Sequence, residues 1–220
     1  TEKRKNLRKV SEKIRIRLIM PDRTLNNIHP DQRVGIFIDV QNIYHSAKNL
    51  FQARVNFNEL IKTLLGRRHL IRAVAYVVKS EGVDHSLSRD SDFGGHGREE
   101  SFFEALRKTG LELRLKDIQI FPGGAKKADW DVGLAVDAIR MANFLDVVIL
   151  VTGDGDFVPL VDYLKWGMGR QVEVAAFSRT TSGKLKEVAD HFIEIESIPK
   201  ILLKIKTPGE RAMNRGRKQK

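Results

Sequence analysis

Three features of the sequence predict an α/β fold built on a mainly parallel sheet with helices on both faces. Short runs rich in Val, Ile, Leu and Ala recur along the body (residues 34–39, 71–78, 147–151 and 172–177), at lengths suited to strands buried on both sides. Between them lie stretches with apolar residues at helical spacing, bounded by Asn, Asp, Ser and Gly. Strand and helix alternate as βαβ units require. At 220 residues the chain suits one domain with a sizeable core and short extensions.

Composition narrows the function classes. No apolar stretch approaches the roughly 18 residues of a membrane span, and the basic N-terminus lacks the apolar centre of a signal peptide, so a cytoplasmic location is expected. The chain has no cysteine, which excludes disulfides, thiolate metal sites and a thiol nucleophile. Any metal must be held by oxygen or histidine. The net charge of +11 is uneven: residues 1–30 carry nine Lys/Arg against three acids, residues 206–220 six against one, and residues 31–205 carry 24 of each. The reading is a basic N-terminal extension and linker (1–30), a neutral folded domain (31–205) and a basic tail (206–220). Two such arms suit a polyanion, because clustered Lys/Arg bind phosphate backbones through counterion release.

Taken in order, Ile14–Leu18 alternates apolar and basic residues like an edge strand, and Pro21–Pro30 reads as a linker. The run 34–39 is the first core strand. Asn42 is placed to cap a helix from about Ile43 to Phe51, and a second helix, Phe57–Leu65, stops at Gly66. A strand at Ile71–Val78 precedes a polar Gly/Ser/Asp-rich loop from Ser80 to Gly97. Arg98–Thr109 is an amphipathic helix closed by Gly110, and Leu111, Leu113 and Leu115 alternate with charges as in a half-wet edge strand. Phe121–Lys127 is expected to be a loop, after which Asp129 or Asp131 opens a helix reaching about Asn143. The strand 147–151 leads into a helix from Asp156 or Phe157 to about Trp166, with Pro159 tolerated in its first turn. A strand at 172–177, a helix from Gly183 to about Asp190, a short strand at Phe192–Ile195 and a closing helix over Ile198–Ile205 complete the body.

Chemistry concentrates in aspartates. Asp154 and Asp156 stand between glycines at the end of the most apolar run, Asp39 ends the first strand, and Asp131 sits at a helix start. Strand C-termini and helix N-termini share one edge of a parallel α/β sheet, so these four acids can converge there. Converging carboxylates need a cation, and Mg²⁺ or Mn²⁺ suits an all-oxygen site that shares its shell with water and phosphate. That combination points to phosphate-ester hydrolysis, with the metal activating water. Asn42 supplies a carbonyl ligand, orients a carboxylate or caps its helix. Asp137, six residues past Asp131, lies about 240° round the helix and reaches the site only from the side.

The blocks Phe37–Asn42, Lys127–Asp137 and Val151–Val161 resemble the three signature segments of the NYN domain, LabA-like branch, within the PIN-like superfamily of metal-dependent nucleases. The resemblance covers about residues 33–196. It implies a Rossmann-like (PIN-like) three-layer fold, a divalent metal on Asp39, Asp131, Asp154 and Asp156, and ribonuclease activity. The expected reaction is endonucleolytic hydrolysis of RNA, with Asn42 joining those four acids as catalytic residues and Asp137 as a possible fifth ligand. The expected partner is RNA, single-stranded or structured, with no membrane involved and homo-oligomer formation left open.

Lys126, Lys127, Arg179, Thr180, Ser182 and Lys184 flank the expected site and are candidates for holding RNA phosphates. Trp130 and Trp166 are read as packing residues, and His85 and His96 as incidental loop histidines. Two rival enzyme classes fit less well. A haloacid-dehalogenase-like phosphatase wants a second Asp where Gln41 stands, and a Toprim-like domain wants Glu in place of Asp39. The remaining alternative is a non-catalytic RNA-binding or adaptor module.

Overall fold

The computed structural model describes residues 29–79, 96–117, 119–120, 126–127 and 130–204. The expected strand at 14–18, most of the linker and of the 80–97 loop, His85, Asp129 and the 206–220 tail lie outside the described residues. In chain order, β1 (Arg33–Asp39) leads directly into α1 (Val40–Phe51), and a short β2 (Ala53–Val55) and α2 (Phe57–Leu65) precede β3 (His69–Lys79). α3 (His96–Lys108) and β4 (Glu112–Asp117) follow, then a small hairpin of β5 (Gln119–Ile120) and β6 (Lys126–Lys127). α4 (Asp131–Ala142), β7 (Val147–Val151), α5 (Val158–Asp162), β8 (Gln171–Ala176), α6 (Gly183–Val188), β9 (His191–Glu194) and β10 (Leu202–Lys204) complete the described chain.

Six strands form one all-parallel sheet in the order β4-β3-β1-β7-β8-β9. Its centre is the most apolar sequence: every residue of β7, and Val34 to Ile38 of β1, are buried. Such runs cannot face water on either side, so helices cover both faces. α1, α2 and α3 pack on one face through Ile43, Leu60 and Phe103, and α4, α5 and α6 on the other through Leu134, Val161 and Leu185. Gly35 is where the second layer comes closest, since a Cβ there would collide with the Leu145 side chain. The half-wet strand expected at 111–115 is β4, an edge of the sheet.

Element ends follow local chemistry. Asn56 caps α2 by accepting the Glu59 N–H at 3.3 Å, and Gly66, at φ 60°, stops it as expected. Arg33 donates to Asp146 from its backbone N–H and its guanidinium, which ties the start of β1 to the start of β7 and holds the Asp146 carboxyl at about 2.

Three expectations are corrected. The closing helix over 198–205 is absent: Ile198 and Ile201 are buried against the sheet, Lys200 takes φ 61°, and Leu202–Lys204 pairs antiparallel with β2. The apolar spacing of 198, 201, 202 and 205 suits a helix, but the open edge of β2 offers a ladder and wins. The loop expected at 121–127 ends in β6, which pairs with β5. Trp166 is not a packing residue, because 83% of it is exposed.

One polar pair lies within the core. Arg68, in the turn after α2, makes a two-pronged contact with Glu173 of β8 at 2.6 and 3.0 Å, and both side chains are buried. Gln171 adds a donor to the same carboxylate at 3.0 Å, and Arg68 also bonds the Leu64 and Leu65 carbonyls. Every group is satisfied, so removing one partner strands a buried charge. Arg68→Ala is expected to destabilise the fold by about 3–5 kcal/mol, and Arg68→Met with Glu173→Leu by much less. Urea unfolding of the three proteins measures the difference.

Candidate metal centre

The register of β1 and β7 builds the site. Ile38 lies opposite Val151, so Asp39 and Thr152 leave the sheet side by side. Asp39 caps α1: its Oδ1 accepts the Asn42 N–H at 3.1 Å, and Val40 is already helical. This corrects the expectation that Asn42 caps the helix. The Asn42 side chain instead crosses to the other strand, where its Oδ1 accepts the Gly153 N–H at 3.0 Å.

Thr152 is fully buried and links the two acidic strand ends. Its hydroxyl donates to Asp39 Oδ2 at 3.4 Å and accepts the Asp154 N–H at 3.2 Å. Asp154 then caps a 3₁₀ turn by accepting the Asp156 N–H at 3.0 Å, which brings Asp156 back beside it. The two glycines allow close approach of the loop after β8. A Cβ on Gly153 would stand 3.0 Å from Thr181 Oγ1 and 3.2 Å from the Thr180 carbonyl, and one on Gly155 would stand 2.9 Å from Ser182 Oγ. The Ser182 N–H seals this contact on the Gly153 carbonyl at 3.0 Å.

Asp131, in the first turn of α4, completes the group. Asp131, Asp154 and Asp156 each offer a carboxylate oxygen, and these oxygens lie within 4.8 Å of one another. Asp131 and Asp154 are half-buried and Asp156 is exposed. Several described acids elsewhere have basic partners, as in Arg33–Asp146, Arg72–Glu112 and Lys165–Asp190, but no such pair among the described residues reaches Asp154 or Asp156. A clustered, all-oxygen donor set of this kind fits a hard divalent cation.

Asp39 lies outside that triplet, at the buried side of the site. Burial pushes its carboxyl above the usual range, the Asn42 and Thr152 hydrogen bonds oppose that shift, and the charge of Asp154 adds to it. Asp137 is not brought to the group. It turns to the flank of α4, where the Tyr76 hydroxyl donates to it at 3.0 Å and Arg114 stands at 3.4 Å. Burial, then the Asp137 charge, raises the Tyr76 phenol well above its usual value.

The expected phosphate-holding residues divide into two kinds. Arg179 and Lys184 are exposed on the loop and helix beside Gly155. Thr180 and Ser182 also make structural contacts: the hydroxyl of Thr180, itself exposed, contacts Ser46 Oγ at 2.9 Å, and the Ser182 N–H bonds the Gly153 carbonyl. Lys126 and Lys127 belong to β6, and their side chains, like that of His96, lie outside the described residues. Trp130 packs as expected, with its Nε1 donating to the Val77 carbonyl at 3.1 Å and its ring edge-on to Tyr76. Thr152 was not among the sequence candidates. Its signal is a hydroxyl residue between a buried strand and the first glycine.

With this geometry in place, comparison with known proteins is decisive. The NYN domain profile matches residues 33–196. The chain belongs to the NYN domain family. NYN domains are PIN-like, and the six-stranded parallel sheet is the corresponding α/β architecture. The NYN chain is also similar to the crystal structure of VPA0982, a protein of unknown function from Vibrio parahaemolyticus, at 30% identity and a TM-score of 0.67 over 80% of this chain and 99% of that one. A PLP-bound aminotransferase candidate from Clostridium difficile shares 11% identity and a TM-score of 0.22, over 62% of this chain and 34% of that one. No curated protein matches.

The raised Asp39 carboxyl makes a prediction about stability without metal. Its protonated form is favoured in the folded protein, a contribution present below the ordinary carboxylate range, near pH 4, and lost as pH rises through the higher folded value. Asp39→Asn keeps a good helix cap and removes the buried charge. In EDTA at pH 7 it is expected to melt above the unaltered protein, with the gap closing toward pH 3.5. Differential scanning calorimetry at the two pH values tests this, and a lower melting temperature at pH 7 contradicts it.

Proposed function

We propose that this NYN domain is a divalent-metal-dependent ribonuclease of the LabA-like branch, cleaving RNA endonucleolytically in the cytoplasm. The observation that supports it most is the convergence of Asp131, Asp154 and Asp156 within 4.8 Å at the carboxyl edge of the sheet. Asp131, Asp154 and Asp156 would hold Mg²⁺ or Mn²⁺, with Asp39 beside them. Such an ion, when bound, supplies an activated water and offsets the charge that develops on the phosphorus oxygens.

The chain's own residues do the rest. Asn42 holds the Gly153 N–H, and Thr152 holds the Asp154 N–H, so the acid loop keeps one conformation while substrate is exchanged. Arg179 and Lys184 present positive charge next to Gly155, where the RNA backbone would cross the acids. The basic segments 1–30 and 206–220 would add affinity independent of sequence. Asp137, tied to Tyr76 and Arg114, is left a structural role on the flank of α4.

Labelled single- and double-stranded RNA and DNA, incubated with Mg²⁺, Mn²⁺ or EDTA, test the reading. RNA cleavage is expected only with metal, and Asp154→Asn should reduce it by more than about a hundredfold. Asn42→Ala, which frees the loop without touching a carboxylate, should retain metal dependence and lose about tenfold or more in rate. If neither the unaltered protein nor Asp154→Asn cleaves, and both bind RNA with steep salt dependence, the domain is a binding module.

A further inference from the structure

The helices α4 and α5 cover the same face of the sheet, over β1, β7 and β8, and their outer surface carries more apolar side chains than solvent favours. Trp166 is 83% exposed, Val132 75%, Phe144 60%, Tyr163 51% and Val136 47%. Val132 and Val136 share one face of α4 at i, i+4 spacing, Phe144 follows just past its end, and Tyr163 and Trp166 share one face of the turn that extends α5. That turn is π-helical, and the Tyr163 ring lies against Gly167, where a Cβ would stand 3.2 Å away.

We propose that this face is the contact between two copies of the chain in a two-fold dimer. Area supports it: the exposed parts of the five side chains come to about 600 Å², against about 800 Å² that each partner gives to a standard interface. Charge supports self-pairing. The face carries Arg140 on α4 and Asp162 on α5, one of each sign, so it does not repel its own image although the whole chain is at +11. Charge also disfavours RNA as the occupant, because Lys165 is committed to Asp190 at 2.9 Å and to the Val188 carbonyl at 2.5 Å, and Arg140 is balanced by Asp162. A backbone-binding surface needs clustered Lys/Arg. The face begins at Val132, beside Asp131, and runs down the helices to Phe144 and Trp166. The inference is independent of the nuclease reading.

Sedimentation equilibrium of the full chain at about 50 µM is expected to give twice the chain mass of 25.0 kDa. Trp166→Glu with Phe144→Glu should return it to one chain mass, raising the dimer Kd by at least about tenfold while leaving the far-UV spectrum unchanged. The absence of native cysteine permits a positional check. Val136→Cys should cross-link into a dimer on mild oxidation, while Lys62→Cys, on α2 across the sheet, should not. A monomer at 50 µM, a dimer untouched by the double substitution, or loss of RNA affinity in that variant with no change in mass would each overturn the proposal.

Discussion

The parallel pairing of β1 with β7 is the constraint on which the rest of the structure depends. Both strands are buried on both faces, so their register is set by the core, and that register ends them at one level with Ile38 against Val151. Asp39 and Thr152 therefore emerge as neighbours, and the hydroxyl between Asp39 and Asp154 has somewhere to point in both directions. A slip of one residue would turn Asp39 to the other side of the sheet and separate these groups. The helix that follows β1 and the loop that follows β7 then grow from a junction already fixed.

The loop itself must resist its own charge. Three carboxylates within 4.8 Å repel one another, and a fourth is half-buried beside them. The loop that carries Asp154 and Asp156 is held by uncharged groups: the Asn42 carbonyl oxygen on the Gly153 N–H, the Thr152 hydroxyl on the Asp154 N–H, and the Ser182 N–H on the Gly153 carbonyl. Neutral clamps leave the negative potential intact, whereas a lysine or arginine in their place would consume it. Asp39 carries a cost of its own: burial chiefly, and the Asp154 charge in smaller part, raise its carboxyl above the usual range. Sites that keep such a group ionised trade stability for function.

Much of this was legible in the sequence, and the reasons are particular. Val147–Val151 and Val34–Ile38 have no polar residue to mark a wet side, so they could only be central strands, and their terminal aspartates could only fall on one edge. Gly66 and Gly110 stop helices where expected because positive φ, 60° and 84°, is nearly a glycine property. Asp137 was doubtful on helical angle alone, and its actual partners, Tyr76 and Arg114, lie about 60 and 20 residues away in sequence. The misreadings have separate causes. Ile198–Ile205 carries a spacing that either state accepts, and β2, three residues long, gave no sign that it needed a partner. The cap of α1 was assigned to Asn42 because Asp39 was already given a role. In the structure Asp39 has both, through different oxygens.

That double role bears on how the site distinguishes its acids. Asp39 spends one oxygen on the Asn42 N–H and the other on a hydroxyl, so both already have protein donors. Asp156, by contrast, is exposed, and the Asp156 N–H, not its carboxylate, is the group that Asp154 engages. The site is therefore graded from a half-buried, hydrogen-bonded carboxylate at the end of β1 to an exposed one past β7. A cation entering from solvent would meet Asp156, Asp154 and Asp131 first. Asp39 would act from behind, through the charge interaction that already couples it to Asp154. Partial burial lowers the dielectric around Asp39, so its charge is screened less than that of an exposed carboxylate. Removing the Asp39 charge should thus weaken the pull on a cation without opening the loop, whereas removing Asn42 should open the loop and leave the charge.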